Sequence, residues 1–473
     1  MQSKEYLPII YVRGYAGSDK DVDETVNDPF YGFNSGSTHI RVGEKGTPEK
    51  FFFESPLLRL MADHGYRPVF DNKQLSSESK TIWIYRFYDI TSPSFGSDNP
   101  IRQEMEEIAE GLRDLINRIK QQTGAPKIYL IAHSMGGLVC RSLMQKIYPD
   151  HAEKAEDHID KLFTYGTPHG GIHFQVGGEL IEGIRDTVRW NNSDDFGAQR
   201  MYEYFTPKLQ EARTFNAKTF DSQSLGNAFS PDRVFCIIGT NARDYENAGG
   251  LAQKAVGQQS DGLVQIDKAY VRGAHRAYIH RTHGGRYGMV NSEEAYQNLQ
   301  RFLFGDIKVK LSLSDVELSD RHNTFYQMEV WVSLRGLPTP IHEQAIDRYC
   351  PITVELTRDK PVPLFTAFLI PRYAVNTDNT CRYAIRLALH SFTKKERDWL
   401  FDSHIDQLPL WSDYLIVDVT ADNCTYKAKY GWNSEQLAPN IDLNVGDNIL
   451  LPQRGRDVIG TKASVKLEIS QWQ

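Results

Sequence analysis

The feature that most constrains this chain is a short stretch in its first third. Lys127-Ile-Tyr-Leu-Ile-Ala132 is an apolar run of strand length. His133-Ser134-Met135-Gly136-Gly137 interrupts it, and Leu138-Val-Cys-Arg-Ser-Leu-Met144 then continues as a helix. This is strand, tight turn and helix, with a serine at the apex. A serine on so sharp a turn takes a strained backbone conformation, and the residues two before and two after it must be small. Ala132 and Gly136 fill those places. The turn projects Oγ above the sheet, with the helix N-terminus beneath it. The backbone N–H of Met135 then points to where an oxyanion would form. The plain alternative is a structural turn between a strand and a helix that performs no chemistry.

The surrounding sequence has the same rhythm. Ile9–Val12, Thr81–Tyr88, Lys127–Ala132, Leu162–Tyr165, Val234–Gly239 and Ala277–His280 are short apolar runs separated by helical patterns. That alternation predicts a mostly parallel sheet with helices on both faces. Ile101, Met105, Ile108, Leu112, Leu115, Ile116 and Ile119 recur every three or four residues and predict one amphipathic helix, closed by Thr123-Gly-Ala-Pro126. A shorter helix is bracketed by Ser55, Pro56 and Gly65, and a last one runs near Ser292–Phe304. From Ile307 the period becomes two, as in Ile307, Val309, Leu311 and Leu313 or Tyr326, Met328, Val330 and Val332. Strands with one wet face predict an antiparallel β-sandwich. The expected division is an α/β domain over 1–306, with insertions at about 18–80 and 172–232, and a β-sandwich domain over 307–473. The 473 residues are in keeping with two or three domains at about 100–200 residues each.

Ala132-His133-Ser134-Met135-Gly136-Gly137 resembles the nucleophile elbow of the α/β-hydrolase superfamily. It is similar to the bacterial lipase and esterase variant in which Ala replaces the first Gly of Gly-x-Ser-x-Gly. The resemblance extends over roughly residues 6–306 and does not cover the C-terminal domain. It implies an α/β-hydrolase fold with cap or lid insertions, and Ser134 as nucleophile. Arg13-Gly14-Tyr15 stands where such lipases have His-Gly-x, which implies the backbone N–H of Tyr15 as second oxyanion donor beside Met135. Gly166-Thr167-Pro168-His169-Gly170-Gly171 is similar to the Thr-Pro-His-x-Gly segment that flanks lipase sites, so His169 is expected to be structural.

The fold calls for a base on a loop after the last strand and an acid between Ser134 and that base in chain order. His275, His280 and His283 are the candidate bases. His283, followed by Gly284-Gly285 and then a helix, has the loop position, whereas His280 is expected within a strand. His280-x-x-His283 as a metal pair lacks an evident third ligand. Asp244, Asp261 and Asp267 follow Val234–Gly239 and are the candidate acids. Ser260-Asp261-Gly262-Leu263-Val264 resembles the lipase segment Asp-Gly-x-Val, which favours Asp261, with Asp244 next.

Roughly sixty residues separate Gly171 from Asp232, more than one crossover helix needs. Val176, Leu180, Ile181, Ile184 and Val188 form an apolar stripe, followed by Trp190, Phe196, Met201, Tyr202, Tyr204 and Phe205. This insertion is either a lid or a fixed helical cap. Asp19-x-Asp21-x-Asp23 opens like a calcium loop, but Glu24 and Phe30 stand where Gly and Glu are required, so an EF-hand is rejected. No metal and no cofactor are called for. The net charge of −7 gives no footprint for nucleic acid. Five cysteines without CxxC spacing argue against a zinc ribbon or a disulfide scaffold, and Cys140 and Cys236 are expected as buried free thiols. No apolar run reaches the roughly 18–20 residues of a membrane-spanning helix. The opening residues lack an export pattern, so a cytoplasmic location is expected, with signal-independent secretion as the alternative.

These readings converge on a serine carboxylester hydrolase, an esterase or lipase. Ser134 would be the nucleophile, His283 the base, Asp261 the orienting acid, and Met135 and Tyr15 the oxyanion donors. The partner would be an acyl ester or lipid, with transient membrane-surface contact allowed and the oligomeric state open. A phospholipase acting on membrane lipids and a non-catalytic binding protein on a hydrolase scaffold are the rivals.

Overall fold

The strands of the first part of the chain are β1 (Ile9–Val12), β2 (Thr38–Val42), β3 (Pro48–Phe52), β4 (Arg67–Val69), β5 (Thr81–Tyr85), β6 (Ile128–His133), β7 (Ile159–Tyr165), β8 (Val234–Gly239) and β9 (His275–Ile279). In the computed structural model seven of them form one sheet in the order β4-β5-β1-β6-β7-β8-β9, and β2 pairs with β3 apart from it. The pairings from β4 through β8 are all parallel. β1, β5 and β8 are buried at every position, as strands covered on both faces must be. The structure describes residues 6–14, 23, 26–27, 38–42, 48–52, 56–69, 78–89, 92, 103–172, 197–208, 215–245, 259–285, 287–317, 324–345, 354–355, 361–374, 379–393, 409–422, 425–435, 439–444 and 447–473.

The amphipathic helix expected after β5 runs over Met105–Thr123. Glu104 caps it, and the Glu107 carboxylate accepts the Glu104 backbone N–H at 3.0 Å, closing a capping box. Ile108, Leu112, Leu115, Ile116 and Ile119 form its buried face. Each such side chain contributes about 1.5–3 kcal/mol by leaving water. Ile101, the first residue of the predicted stripe, lies outside the described residues. The helix Pro56–His64 ends at Gly65, and the helix after Ser134 runs over Met135–Ser142 before widening into a π-turn at Leu143–Ile147. Two strand limits differ from expectation. β5 stops at Tyr85 rather than Tyr88, and β9 runs from His275 to Ile279, so His280 lies just past it and is exposed.

The later strands are β10 (Ile307–Ser314), β11 (Thr324–Leu334), β12 (His342–Gln344), β13 (Val354–Glu355), β14 (Val362–Leu369), β15 (Thr380–Thr393), β16 (Trp411–Asp422), β17 (Thr425–Trp432), β18 (Ile441–Leu443), β19 (Asn448–Leu450) and β20 (Ser464–Gln471). They form two antiparallel sheets, β14-β10-β20-β19 and β12-β11-β15-β16-β17-β18, with β13 on the edge of β11. Ile307, Val309, Leu311 and Leu313 from one sheet and Met328, Val330 and Val332 from the other meet in one buried core. That core makes the pair a sandwich. Trp411, Trp432 and Trp472 are buried, and Trp399 lies outside the described residues.

The chain divides into two compact units, residues 1–276 with 280–292 and residues 277–279 with 293–473. The helix Glu293–Phe304 therefore groups with the β-rich unit, not with the residues before the boundary expected at 306. Its side chains explain why. The Phe302 ring lies 5.3 Å from Phe368 and 5.6 Å from Trp472, and the Asn298 amide donates to the Ile341 carbonyl at 2.7 Å. Among the described residues no helix is long and apolar enough to cross a membrane.

Candidate active site

β6 ends at His133, and the next residue carries the strain. Ser134 has φ 55° and ψ −129°, outside the regions a residue with a side chain prefers, and it caps the helix that starts at Met135. Its N–H donates to the Tyr165 carbonyl on neighbouring β7 at 2.9 Å. Its own carbonyl accepts from the Thr167 hydroxyl at 2.8 Å and from the Gly137 N–H at 3.1 Å. The strained residue is thus tied on both sides of its peptide. Small neighbours are needed for the expected reason. A Cβ on Gly136 would collide with the carbonyl oxygens of Val12 and Arg13, because the helix start lies directly against the end of β1. A Cβ on Gly14 would stand 2.5 Å from the Ser134 Cβ.

Ser134 Oγ lies 3.0 Å from His283 Nε2, and His283 Nδ1 lies 2.9 Å from Asp261 Oδ2. All three side chains are buried, with Asp261 only 1 % exposed. Asp261 is itself held in place. Its second oxygen, Oδ1, accepts the backbone N–H groups of Leu263 at 3.0 Å and Val264 at 2.8 Å. The His283 N–H donates to the Asp261 carbonyl at 2.8 Å, so the two loops are joined through the backbone as well. With Nδ1 facing a carboxylate, the imidazole carries its proton there and presents a bare Nε2 to the serine. Met135 is the first residue of its helix, so its N–H has no intrahelical acceptor and sits where the helix dipole favours negative charge.

The other candidates have different surroundings. Asp244 is exposed, and its carboxylate accepts from the Asn241 amide at 2.9 Å in a local turn. Asp267 is exposed and faces Lys268 at 3.7 Å. His275 opens β9 with its Nε2 3.0 Å from Asp232. His280 Nδ1 lies 3.4 Å from the Thr240 hydroxyl. Among the described residues, no group of three or more His, Cys, Asp or Glu side chains is placed to hold a metal ion, around His280 and His283 or elsewhere. His169 is fully buried, with Nε2 3.1 Å from the Thr164 hydroxyl. Burial and the nearby Arg141 charge hold its pKa well below the usual histidine range. Tyr15, the expected second oxyanion donor, lies outside the described residues, as do Asp19, Asp21 and Val176 to Phe196 of the insertion.

Three contributors went unread in the sequence. His133 is placed with its Nε2 3.1 Å from the His283 carbonyl oxygen and its ring 5.0 Å from the His283 ring. Burial first, then the neighbouring His283, pushes its pKa down to about 3, so it stays neutral and donates that hydrogen bond. Thr167 braces the Ser134 carbonyl, as described. Arg141 is fully buried on the helix behind Ser134. It donates to the His169 and Ser224 carbonyls, each at 2.9 Å, and its guanidinium lies 3.9 Å from the centre of the Phe205 ring. Phe205 belongs to the helix Ala198–Phe205, whose Met201 is also buried. The described end of the insertion is thus a packed cap, anchored by a cation that helical periodicity does not announce. Thr167 alone had a signal, its place in Gly166-Thr167-Pro168.

A family model for the alpha/beta hydrolase fold matches residues 71–310. Among solved structures, the lin2722 gene product of Listeria innocua is similar at 15% identity, over 63% of this chain and 94% of its own, with a TM-score of 0.29. The Bacillus licheniformis lipase BlEst2 in mature form is similar at 15% identity over 60% of this chain and 84% of its own, TM-score 0.29. The 2-hydroxy-6-oxo-6-phenylhexa-2,4-dienoate hydrolase of Rhodococcus sp. strain RHA1 is similar at 12% identity over 63% and 90%, TM-score 0.29. No curated protein matches this chain. The matched family model spans half of the sequence and contains strands β5 to β9 of the main sheet with the serine turn among them, and on that ground the chain is a member of the α/β-hydrolase fold family.

Proposed function

We propose that the chain is a serine hydrolase that cleaves carboxylic esters. The observation that carries this is the unbroken line from Ser134 Oγ to His283 Nε2 at 3.0 Å and from His283 Nδ1 to Asp261 at 2.9 Å. In this reading Ser134 Oγ attacks the acyl carbonyl as His283 Nε2 takes its proton. The Met135 N–H stabilises the oxyanion, with the Tyr15 N–H as the proposed second donor. The resulting imidazolium is stabilised by Asp261, whose carboxylate is held in place by the two backbone N–H groups on Oδ1. His283 returns the proton to the leaving alcohol. Water then repeats the cycle on the acyl-enzyme, returning Ser134 and releasing the acid. None of these steps calls for a cofactor or a metal.

The test is hydrolysis of p-nitrophenyl esters from acetate to palmitate by the wild-type protein and Ser134→Ala, with circular dichroism to verify the fold. Turnover confined to the wild type supports the reading, and the preferred chain length separates an esterase from a lipase. Phospholipid vesicles added to the series decide whether membrane esters are the better substrate. Equal turnover in both proteins removes Ser134 from the mechanism. A folded protein inert on every ester turns the reading toward binding.

A further inference from the structure

We propose that the β-rich unit carries a phosphate-binding recess, separate from the serine chemistry, formed around Arg301, Arg335 and Thr380. The recess has a volume of about 30 Å³, and Arg301, Arg335, Arg382 and Thr380 line it together with Leu369 and Ile370. A single water needs about 10–15 Å³ on the same scale, so the space takes one small oxyanion in place of two or three waters.

Two of the three arginines on its walls make no ion pair among the described residues. Arg301 lies on the helix Glu293–Phe304 and is only 8 % exposed. Its Nη1 donates to the Gln297 amide oxygen at 2.5 Å, a neutral partner. Its Nε is buried without a hydrogen-bond partner among the described residues. The nearby Glu293 carboxylate is engaged by the Gln297 amide at 2.7 Å and forms no described ion pair with Arg301. Burial pulls the Arg301 guanidinium down to about 10, which leaves it charged at neutral pH. A buried cation with only neutral partners is costly, and a bound anion relieves that cost.

Arg335 follows directly on β11, is exposed, and makes no ion pair among the described residues. Arg382 differs. Its fork grips Asp418 through two bonds of 2.7 and 2.6 Å, so its charge is already matched. Two guanidinium charges that make no ion pair among the described residues therefore line one small recess. A phosphate group carries close to two negative charges near neutral pH and accepts forked guanidinium bonds. A carboxylate would match only one of them. The Thr380 hydroxyl lies 2.8 Å from the Thr420 hydroxyl on the adjacent strand and adds a further polar group at the rim.

Free phosphate, a soluble phosphomonoester and the phosphomonoester headgroup of phosphatidic acid all present this group. The full chain is titrated calorimetrically with inorganic phosphate, glycerol 3-phosphate and a short-chain phosphatidic acid below its micelle concentration, at constant ionic strength with chloride as background. Saturable one-to-one binding is expected, unchanged in Ser134→Ala and at least tenfold weaker in Arg335→Gln. That side chain is exposed, so the variant keeps the fold, whereas Arg301→Gln serves only if its circular dichroism is native. Equal affinity for all three probes assigns a free-phosphate site, and tighter binding of phosphatidic acid assigns a headgroup site. No saturable binding of any probe, or binding undiminished in Arg335→Gln, overturns the proposal.

Discussion

Replacing Asp261 by Asn separates charge and tautomer from shape. The Asp261 Oδ1 accepts two backbone N–H groups, from Leu263 and Val264. In the variant only the amide oxygen can take that place, because an NH₂ there would oppose two donors. The NH₂ is thereby directed at His283 Nδ1, where the carboxylate oxygen stood 2.9 Å away. A donor facing Nδ1 requires that nitrogen to accept, so the imidazole proton moves to Nε2. Nε2 then points a hydrogen at Ser134 Oγ and cannot take the serine proton. The corresponding change in serine proteases, which the tautomer argument was built on, lowers kcat about 10⁴-fold. At about 1.4 kcal/mol per tenfold, the barrier rises by about 5.5 kcal/mol. Stability should hardly change, since the new amide satisfies the same backbone donors. The assay is kcat on the best p-nitrophenyl ester, with the thermal midpoint followed in parallel. A loss below about tenfold in a natively folded variant would refute the tautomer argument.

Other substitutions probe the frame around the site. Gly136→Ala drives a methyl into the backbone of Val12 and Arg13 and should cost about 1–3 kcal/mol in urea denaturation, with activity lost beyond what unfolding explains. Arg141→Met strands the His169 and Ser224 carbonyls and should cost about 3 kcal/mol, measured by the same method, since hydrogen bonds from charged donors each contribute about 1.5–3 kcal/mol. His133 has its folded pKa depressed to about 3 against the ordinary 6.5, so between these values the unfolded chain binds a proton that the native state does not. Stability from this group is full above about 6.5 and falls as pH drops toward 3, by at most about 1.4 kcal/mol per pH unit. His133→Gln should flatten that part of the urea-midpoint profile, and an unchanged slope between pH 6 and 4 would contradict the assignment.

The fold class was legible because two periods are written in the sequence. Strands covered on both faces appear as unbroken apolar runs such as Ile9–Val12 and Val234–Gly239, and Ile307 to Ser314 alternates as a half-buried strand must. The limits of the elements were less legible. Phe87 and Tyr88 continue the aromatic run beyond Arg86, yet the strand stops at Tyr85 and both rings are buried in a turn. The grouping of Glu293–Phe304 with the later residues depends on Phe302 meeting Phe368 and Trp472, a contact across distant sequence that no local period records. At the site, Ser134 was legible from the strand–turn–helix pattern, His283 from its loop position and Asp261 from the likeness of its segment to the lipase Asp-Gly-x-Val, and the structure brings their side chains within hydrogen-bond distance of one another. The supports were not legible. Arg141 reads as an ordinary helical surface residue until His169 and Ser224 are folded over it, and His133 reads as a filler of the turn until the His283 loop arrives.

The most direct measurement is covalent trapping of the nucleophile. The full chain is treated with a fluorophosphonate, and the adduct is located by peptide mass spectrometry. One adduct on Ser134 is predicted, absent in Ser134→Ala and formed far more slowly in His283→Ala and Asp261→Asn. An adduct on another residue, or ester turnover that survives the reagent with Ser134 unlabelled, would contradict the account.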